Sequence, residues 1–403
     1  MRRPIAGALL ALGLVALAGC KVIPESRPPA PAIETPPPVP PAASAGLSPI
    51  ARGPSVGALP ITTTDANFAL SAFRESCSWA TGKEDRSGLT FPADWEPACT
   101  AARGWAATRG REFFIEHFET ARIGDGTAFA TGYFEPEIDG SRTRRQGYDV
   151  PVYRMPDDLT RAWPRATPAS ERTGRAPLGR TGADGDHVPY YTRAEIEAGA
   201  LAGRGLEIAW ARDAIEMFFL QIQGSGLLRL PDGSQMRIGY AGQNGHGYTA
   251  IGRPMREQGL IGEGTPYPVS MQGIVAWLRA NPDRALEIMR LNESWIFFRE
   301  LTTDGPLGSL GVPVRRESSV AVDPRYVPYG APVFLDLERD VADGLWVAQD
   351  TGGAIKGANR FDTFWGNGGD AREIAGAMSS SGSALVLLPK GVVARLGRAQ
   401  QDR

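Results

Sequence analysis

Two aspartates, Asp350 and Asp362, bracket most of a glycine-rich run at residues 348–369, AQDTGGAIKGANRFDTFWGNGG, with Lys356 and Arg360 between them. Carboxylates on such a loop suit metal binding, phosphate binding or acid–base catalysis. A metal site needs several ligands at close spacing. The three histidines, His117, His187 and His246, stand far apart without a paired Cys or His, and DTGGAIKG lacks the dense acidic spacing of a calcium loop, so no metal is expected. A phosphate loop would read G-x-x-x-x-G-K-[ST], which GGAIKG does not match. Ser225 in QIQGSGLL lies between two glycines, but G-S-G is not the G-x-S-x-G elbow of a nucleophilic serine. A Ser225–His246–Asp triad stays open as an alternative, with a glycine turn as the plainer reading of His246.

Acid–base work by a carboxyl remains. An aspartic acid protonated near neutral pH must be buried against apolar groups. RFDTFWG sets Asp362 among Phe361, Phe364 and Trp365; on a strand, Phe361 points away from Asp362 and Phe364 shares its face. A structural aspartate capping a turn fits the same spacing equally well.

The elements that must hold these residues change texture along the chain. Residues 63–122 carry helical periodicity: Leu70, Phe73 and Cys77 stand at i, i+3, i+7, and Phe114 and Phe118 at i, i+4. His117, beside them, reads as a packing residue. From residue 126 the pattern alternates and is broken by Gly and Pro, which is strand-and-turn composition. Residues 156–186 read as an irregular loop, Thr192 as the entry to a short helix, and LEIAWARDAIEMFFLQIQGSGLLRLPDGSQMRIGYAG as strands turning at Pro231–Gly233. Residues 269–300 return to helix, with Asn281 as N-cap and Pro282 at the first helical position. The last part is β again. The order predicts a mostly β, α+β protein of two domains.

The ends speak to compartment. Residues 1–20, MRRPIAGALLALGLVALAGC, have the layout of a signal peptide whose LAGC ending resembles a bacterial lipobox, with Cys20 as the lipidated residue and Lys21 favouring the outer membrane. The Pro-rich residues 21–62 predict an extended tether with a reach on the order of 100 Å. In an exported chain, Cys77 and Cys99 read as a disulfide. A net charge of −2 with 22% charged residues gives no sign of a nucleic-acid partner.

SVAVDPRYVPYGAPVFLDL followed by LWVAQDTGGAIKGANRFDTFWGNG resembles the 3D domain, named for three aspartates, here Asp323, Asp350 and Asp362. Upstream, GYFEPEIDGS, PVYRMP, FFLQIQGSGLLRL, GYAGQNGHGYTAIGR and NESWIFF resemble, in order, the signature blocks of the membrane-bound lytic murein transglycosylase A family. The resemblance implies a double-psi β-barrel domain joined to the N-terminal helices, a second β-rich domain inserted into it, and a glycan groove between them. The expected parts are a leader at 1–20, tether at 21–62, helical part at 63–136, insert at 137–300, barrel at 301–390 and tail at 391–403. It further implies a lytic transglycosylase cleaving the β-1,4 bond between N-acetylmuramic acid and N-acetylglucosamine, leaving a 1,6-anhydro sugar. Asp362 falls on the catalytic position and Asp350 on a supporting one. The groove candidates are Tyr133, Glu135, Gln221, Gln223, Ser225, Tyr240, Asn244, His246, Lys356 and Arg360. No cofactor is implied; peptidoglycan strands are the partner, with cell-wall synthesis or division proteins as further ones, and the protein is expected to be a lipid-anchored monomer on the periplasmic face of the outer membrane. The alternatives are a two-carboxylate hydrolase using Asp362 with Asp350 or Glu135, and a non-catalytic peptidoglycan-binding lipoprotein.

Overall fold

The structure, a computed structural model, describes residues 49–401; the leader with Cys20 and most of the tether lie outside the described residues. Part of the expected tether belongs to the fold. Ile50–Arg52 pairs as a strand with β1 (Phe118–Ile123), and Val56, Leu59 and Ile61 are buried. These apolar residues lie beyond the densest proline run, so the chain can bury them.

Three helices then pack together: α1 (Thr63–Ala80), α2 (Pro92–Gly104) and α3 (Gly110–His117). Thr62 and Asp65 form a reciprocal capping box that starts α1. Phe73 is fully buried at the centre, with the rings of Trp95, Phe113, Phe114 and Phe118 at centroid distances of 6.4, 5.6, 6.3 and 5.4 Å. Trp105 and Phe113 pack on the His117 ring, whose pKa burial pulls down. The expected helix ends at His117: Phe118 opens β1, its ring still in the aromatic cluster. A disulfide joins Cys77 of α1 to Cys99 of α2.

The chain enters a barrel through β2 (Thr127–Glu135) and leaves it at once. The excursion supplies β3 (Glu137–Ser141), β4 (Val150–Tyr153), β5 (Glu207–Ala211), helix α4 (Ala214–Gln223), β6 (Ser225–Arg229), β7 (Gln235–Gln243), helices α5 (Met271–Ala280) and α6 (Pro282–Arg290), and β8 (Ile296–Leu301). Its strands form one open six-stranded sheet in the order β8-β7-β6-β3-β5-β4. The region expected as an irregular loop carries a small sheet of Thr160–Arg161, Leu178–Thr181 and His187–Val188.

One run expected as strand is helix. Residues 214–223, AIEMFFLQIQ, are N-capped by the Asp213 carboxylate, which accepts from the amides of Ile215 (2.7 Å) and Glu216 (3.1 Å). Gly224 ends the helix in the left-handed region at φ 80°. A short apolar run has no period that separates the two states; the cap and the stop decide it. At a second expected helix start, besides Thr192, Asn281 precedes Pro282, but its side chain donates backward to the Trp277 carbonyl of α5 at 2.8 Å.

The return supplies β9 (Ser319–Ala321), β10 (Pro332–Leu337), β11 (Gly344–Asp350), β12 (Arg360–Asn367), helix α7 (Gly369–Ala377), β13 (Ser379–Pro389) and helix α8 (Val392–Gln401). The strand order β13-β10-β11-β9-β12-β2 closes on itself through a β2–β13 pairing, a six-stranded double-psi barrel. The fold is thus α+β, a barrel backed by helices with an inserted β-rich part. No helix among the described residues is long and apolar enough to cross a membrane.

Removing the α1–α2 disulfide, by Cys77→Ala with Cys99→Ala, is expected to cost about 2–4 kcal/mol, since the cross-link restricts the unfolded chain. Thermal melts of wild type in the presence and absence of reductant, beside the double variant, check this; equal midpoints refute it.

Candidate active site

The site grows from the register of the shortest barrel strand. Ala321 of β9 lies opposite Asp350 on the parallel neighbour β11 and opposite Asp362 on the antiparallel neighbour β12. Residues in register point to one face, and neighbouring strands lie 4.7–4.9 Å apart, so the two aspartates share a face with their Cα atoms roughly 9–10 Å apart. A bulge makes this possible: between Val320 and Ala321 the β11 partner skips from Ala348 to Asp350. The skipped Gln349 points inward, donating to the Ala72 carbonyl (2.9 Å) and Ser76 Oγ (3.0 Å) of α1. The helical layer thereby holds the strand that presents Asp350.

The two carboxyls have different surroundings. Asp362 is partly buried and accepts one side-chain hydrogen bond, from Thr131 Oγ1 to Oδ1 at 2.6 Å. Burial raises its pKa to about 6, against the opposing pull of Thr131 and Arg360; the Asp350 charge adds to the rise. Phe364 shares its strand face, its ring tilted against that of Tyr133 with centroids 5.0 Å apart, while Phe361 is buried on the other side. Asp350 accepts four hydrogen bonds: to Oδ1 from Ser309 N (2.9 Å), Ser309 Oγ (2.7 Å) and Thr351 N (2.8 Å), and to Oδ2 from Tyr133 Oη (3.1 Å). Its pKa is raised by burial, with these donors opposing. Tyr133 is held neutral by burial and by both carboxylates, so its hydroxyl stays a donor.

The third aspartate, Asp323, is a clamp. It is 2% exposed, bonded to Arg325 Nε at 3.0 Å, and accepts the Gly357 amide at 2.8 Å, which fixes the far end of the glycine-rich loop. Burial alone would raise its pKa; Arg325 and the backbone amides outweigh it and leave the pKa lowered.

Above this face runs a groove formed by two cavities of about 700 and 770 Å³. They share Tyr133, Gln221, Gln223, Tyr240 and Asp350, so they are one continuous cleft between barrel and insert. Asp362, His246 and Arg360 line the first cavity; Ser225 and Lys356 line the second. Gln223 Oε1 accepts the Phe134 amide at 3.0 Å, pinning the end of α4 to β2. Gln221 is buried where it lines the cleft, and its Oε1 has no hydrogen-bond partner among the described residues. His246 is tied by Nε2 to the Tyr190 carbonyl (2.7 Å) with Glu293 3.5 Å from Nδ1. Lys356 Nζ donates to the Gly352 carbonyl at 3.1 Å, and burial lowers its pKa.

Two expected groove residues lie elsewhere. Glu135 is 1% exposed and bonded to Arg237 Nε at 2.9 Å; Arg237 Nη1 also donates to the Thr303 carbonyl. It joins the strand leaving the barrel to the insert, and burial raises its pKa against the pull of Arg237. Asn244 is fully buried. Its Nδ2 donates to the carbonyls of Tyr191 and Glu293, and its Oδ1 accepts the Trp295 amide. Both satisfy polar groups inside the fold, as buried polar groups must.

Among the groove residues that the sequence does not single out, three lie close to the two aspartates or to the cleft wall facing them. Thr131 precedes the GYFEPE block by one residue, Tyr248 lies inside GYAGQNGHGYTAIG, and Ser309 sits in the glycine-flanked PLGSLG. Tyr248 lines the first cavity from the insert side, and burial together with the Asp362 charge pushes its pKa up to about 12. Only the pairing of β2 with β12, which sets Thr131 opposite Asp362, reveals Thr131.

Fold and site define an enzyme with a closed barrel, an inserted sheet and two carboxyls facing the cleft between them. Residues 129–299 match the family model of the MltA specific insert domain, and residues 318–388 that of the 3D domain. Membrane-bound lytic murein transglycosylase A of Escherichia coli K12 is 31% identical over 289 residues, covering 69% of this chain and 70% of that protein. The Vibrio cholerae protein of that name is 29% identical over 291 residues, covering 68% and 70%. The crystal structure of a membrane-bound lytic murein transglycosylase from Agrobacterium tumefaciens superposes with a TM-score of 0.74 at 30% identity, over 86% of this chain and 99% of that one. Escherichia coli MltA with bound chitohexaose superposes with a TM-score of 0.60 at 26% identity, over 85% and 95%. The chain belongs to the membrane-bound lytic murein transglycosylase A family.

The raised pKa of Asp362 is also a statement about stability. As pH rises, the unfolded chain ionises this group from 3.8 upward, whereas the fold resists ionisation until about 6. Stability from this group is therefore full below pH ~4 and is lost as pH climbs through ~6. Asp362→Asn, uncharged throughout, is expected to stabilise the protein by on the order of 1–3 kcal/mol above pH 6, the gain fading below pH 4. Denaturant melts of both proteins at pH 4 and pH 7.5 check this.

Proposed function

We propose that this protein is a lytic transglycosylase that cleaves the β-1,4 bond between N-acetylmuramic acid and N-acetylglucosamine in peptidoglycan, with Asp362 as the one proton-transferring group. The observation that carries the reading is the contrast between the carboxyls. Asp362 faces the cleft with a single side-chain donor and a pKa near 6, while Asp350 is occupied by four hydrogen bonds. The substrate class rests on family membership, and the chitohexaose held by the Escherichia coli relative supports a β-1,4 amino-sugar polymer as occupant.

The Asp362 carboxyl gives its proton to the glycosidic oxygen as the bond from that oxygen to muramic C1 breaks. The carboxylate so formed takes the proton of the muramic C6 hydroxyl as O6 bonds to C1, closing the 1,6-anhydro ring and returning Asp362 to its starting state. The nucleophile belongs to the same sugar, so proximity replaces a bound water. Tyr133, held neutral, offers a hydroxyl beside the reacting sugar, and Asp350 orients it. A hydrolytic mechanism would need a second carboxylate free to activate water or attack C1. Asp350 already accepts four hydrogen bonds and Glu135 is paired with Arg237 away from the cleft, which argues against either in that role.

Asp362→Ala is expected to abolish clearing of purified sacculi while binding to them is retained. Mass spectrometry of wild-type digests should show anhydromuramic ends one water lighter than reducing ends; exclusively reducing ends would refute the transglycosylase reading. The value of kcat/KM should decline as pH rises past about 6, because the acid must be protonated.

We also infer that the chain is lipid-anchored through Cys20, as the LAGC sequence suggests. Cys20→Ala is expected to move the protein from the membrane pellet to the soluble fraction and to abolish labelling by a palmitate analogue; a labelled variant would refute this.

A further inference from the structure

Arg360 lines the cleft, yet its guanidinium is committed to the barrel wall. Nη2 donates to Thr131 Oγ1 at 2.9 Å, Nη1 donates to the Phe361 carbonyl, and the guanidinium carbon lies 5.0 Å from the centre of the Phe129 ring. Two strands are linked in this way, since β2 carries Phe129 and Thr131 and β12 carries Arg360 and Phe361.

The chemistry of the three groups forces a direction on the chain of bonds. Arginine has five donors and no acceptor. Thr131 therefore accepts from Arg360 and has its single proton left for Asp362 Oδ1, 2.6 Å away. The other carboxyl oxygen, Oδ2, receives no hydrogen bond among the described residues. A neutral carboxyl in this setting keeps its proton on Oδ2, since a proton on Oδ1 would meet the proton of Thr131.

We propose that Arg360 is a positioning residue which, through Thr131, fixes the proton of Asp362 on Oδ2 and so presents that oxygen to the glycosidic bond. The proposal rests on Asp362 as the acid. One oxygen then serves both halves of the reaction. Oδ2 releases the proton to the leaving oxygen and later receives the proton of the C6 hydroxyl, while Oδ1 stays bonded to Thr131. That bond strengthens when the carboxyl ionises, because hydrogen bonds to a charged acceptor are the stronger kind. Arg360 thus lines the cleft and acts on the reaction through Thr131.

The other groups that face Asp362 do not supply this polarity. Tyr133, on the same strand as Thr131, spends its proton on Asp350; Asp350, across Ala321, accepts donors of its own; Tyr248 reaches Asp362 from the insert through its electrostatic field. His246 and Arg193 line the same cavity, but His246 is tied to the Tyr190 carbonyl, and Arg193 to the carbonyls of Asn292 and Ser294. Removing either Thr131 or Arg360 takes a stabilising influence from the ionised carboxylate, so the acid holds its proton to higher pH.

The test measures kcat, KM and the pH profile on purified glycan strands, with Asp362→Asn as control. Thr131→Val is expected to lower kcat about tenfold, the loss of a hydrogen bond to a charged group, with KM little changed and the alkaline limb of the profile moved to higher pH. Thr131→Ser should restore both. Arg360→Met should lower kcat by a similar factor alone and add little to kcat loss in the Thr131→Val background, since coupled residues are not additive. Where Val or Met prevents folding, Arg360→Lys carries the test: it keeps the charge but loses the two-pronged geometry, so kcat should fall with the limb in place. Multiplying losses, a stationary limb in Thr131→Val, failed rescue by Ser, or full kcat in Arg360→Lys each overturn the relay. An active Asp362→Asn would overturn the acid itself.

Discussion

The site depends on a strand of three residues. β9 runs between β11 and β12, and Ala321 at its end registers with an aspartate on each side. Barrel closure fixes that register, because β9 is paired on both edges and cannot slip without moving every inward residue outward. Ala321 also lines the cleft, and its small side chain leaves room between the carboxyls. The bulge at Gln349 turns Asp350 toward the cleft, while the amide of Gln349 anchors the strand to α1. The helical layer thus reaches the chemistry through one buried side chain.

Around this frame the charges divide their work. Asp323 is paired and closes the glycine-rich loop, Asp350 accepts four hydrogen bonds and holds Tyr133, and Glu135 ties the barrel exit to Arg237. Each is satisfied, as buried carboxylates must be if they are to stay ionised at tolerable cost. Asp362 alone among these lacks a full complement of donors. The fold pays for this in stability, and the gain is an acid that keeps its proton near neutral pH.

The insert makes the barrel face into a cleft. Its helix α4 delivers Gln221 and Gln223 to the floor, and β7 with the following turn delivers Tyr240, His246 and Tyr248 to the far wall. Because Gln223 is pinned to β2 by the Phe134 amide, the wall is referenced to the same strand that carries Thr131 and Tyr133. A polymer lying in the cleft would touch both parts and meet Asp362 in the first cavity.

Composition and spacing by themselves determined the β-rich character of the chain, the helical start and the pairing of Cys77 with Cys99, because these follow from local periodicity and cysteine count. The aromatic setting of Asp362 was legible too, since alternation on a strand places Phe361 and Phe364 on opposite sides. Likeness to known sequence blocks ranked Asp362 above Asp350, which spacing could not do. Tertiary structure alone decided the rest. Thr131 and Asp362 are 231 positions apart and meet only because β2 and β12 pair. Glu135 and Asn244 sit in blocks full of groove residues, yet they face inward, and the 214–223 run is helix because Asp213 caps it. Which oxygen of Asp362 meets the cleft is a matter of hydrogen-bond direction across paired strands, and no linear pattern carries that information.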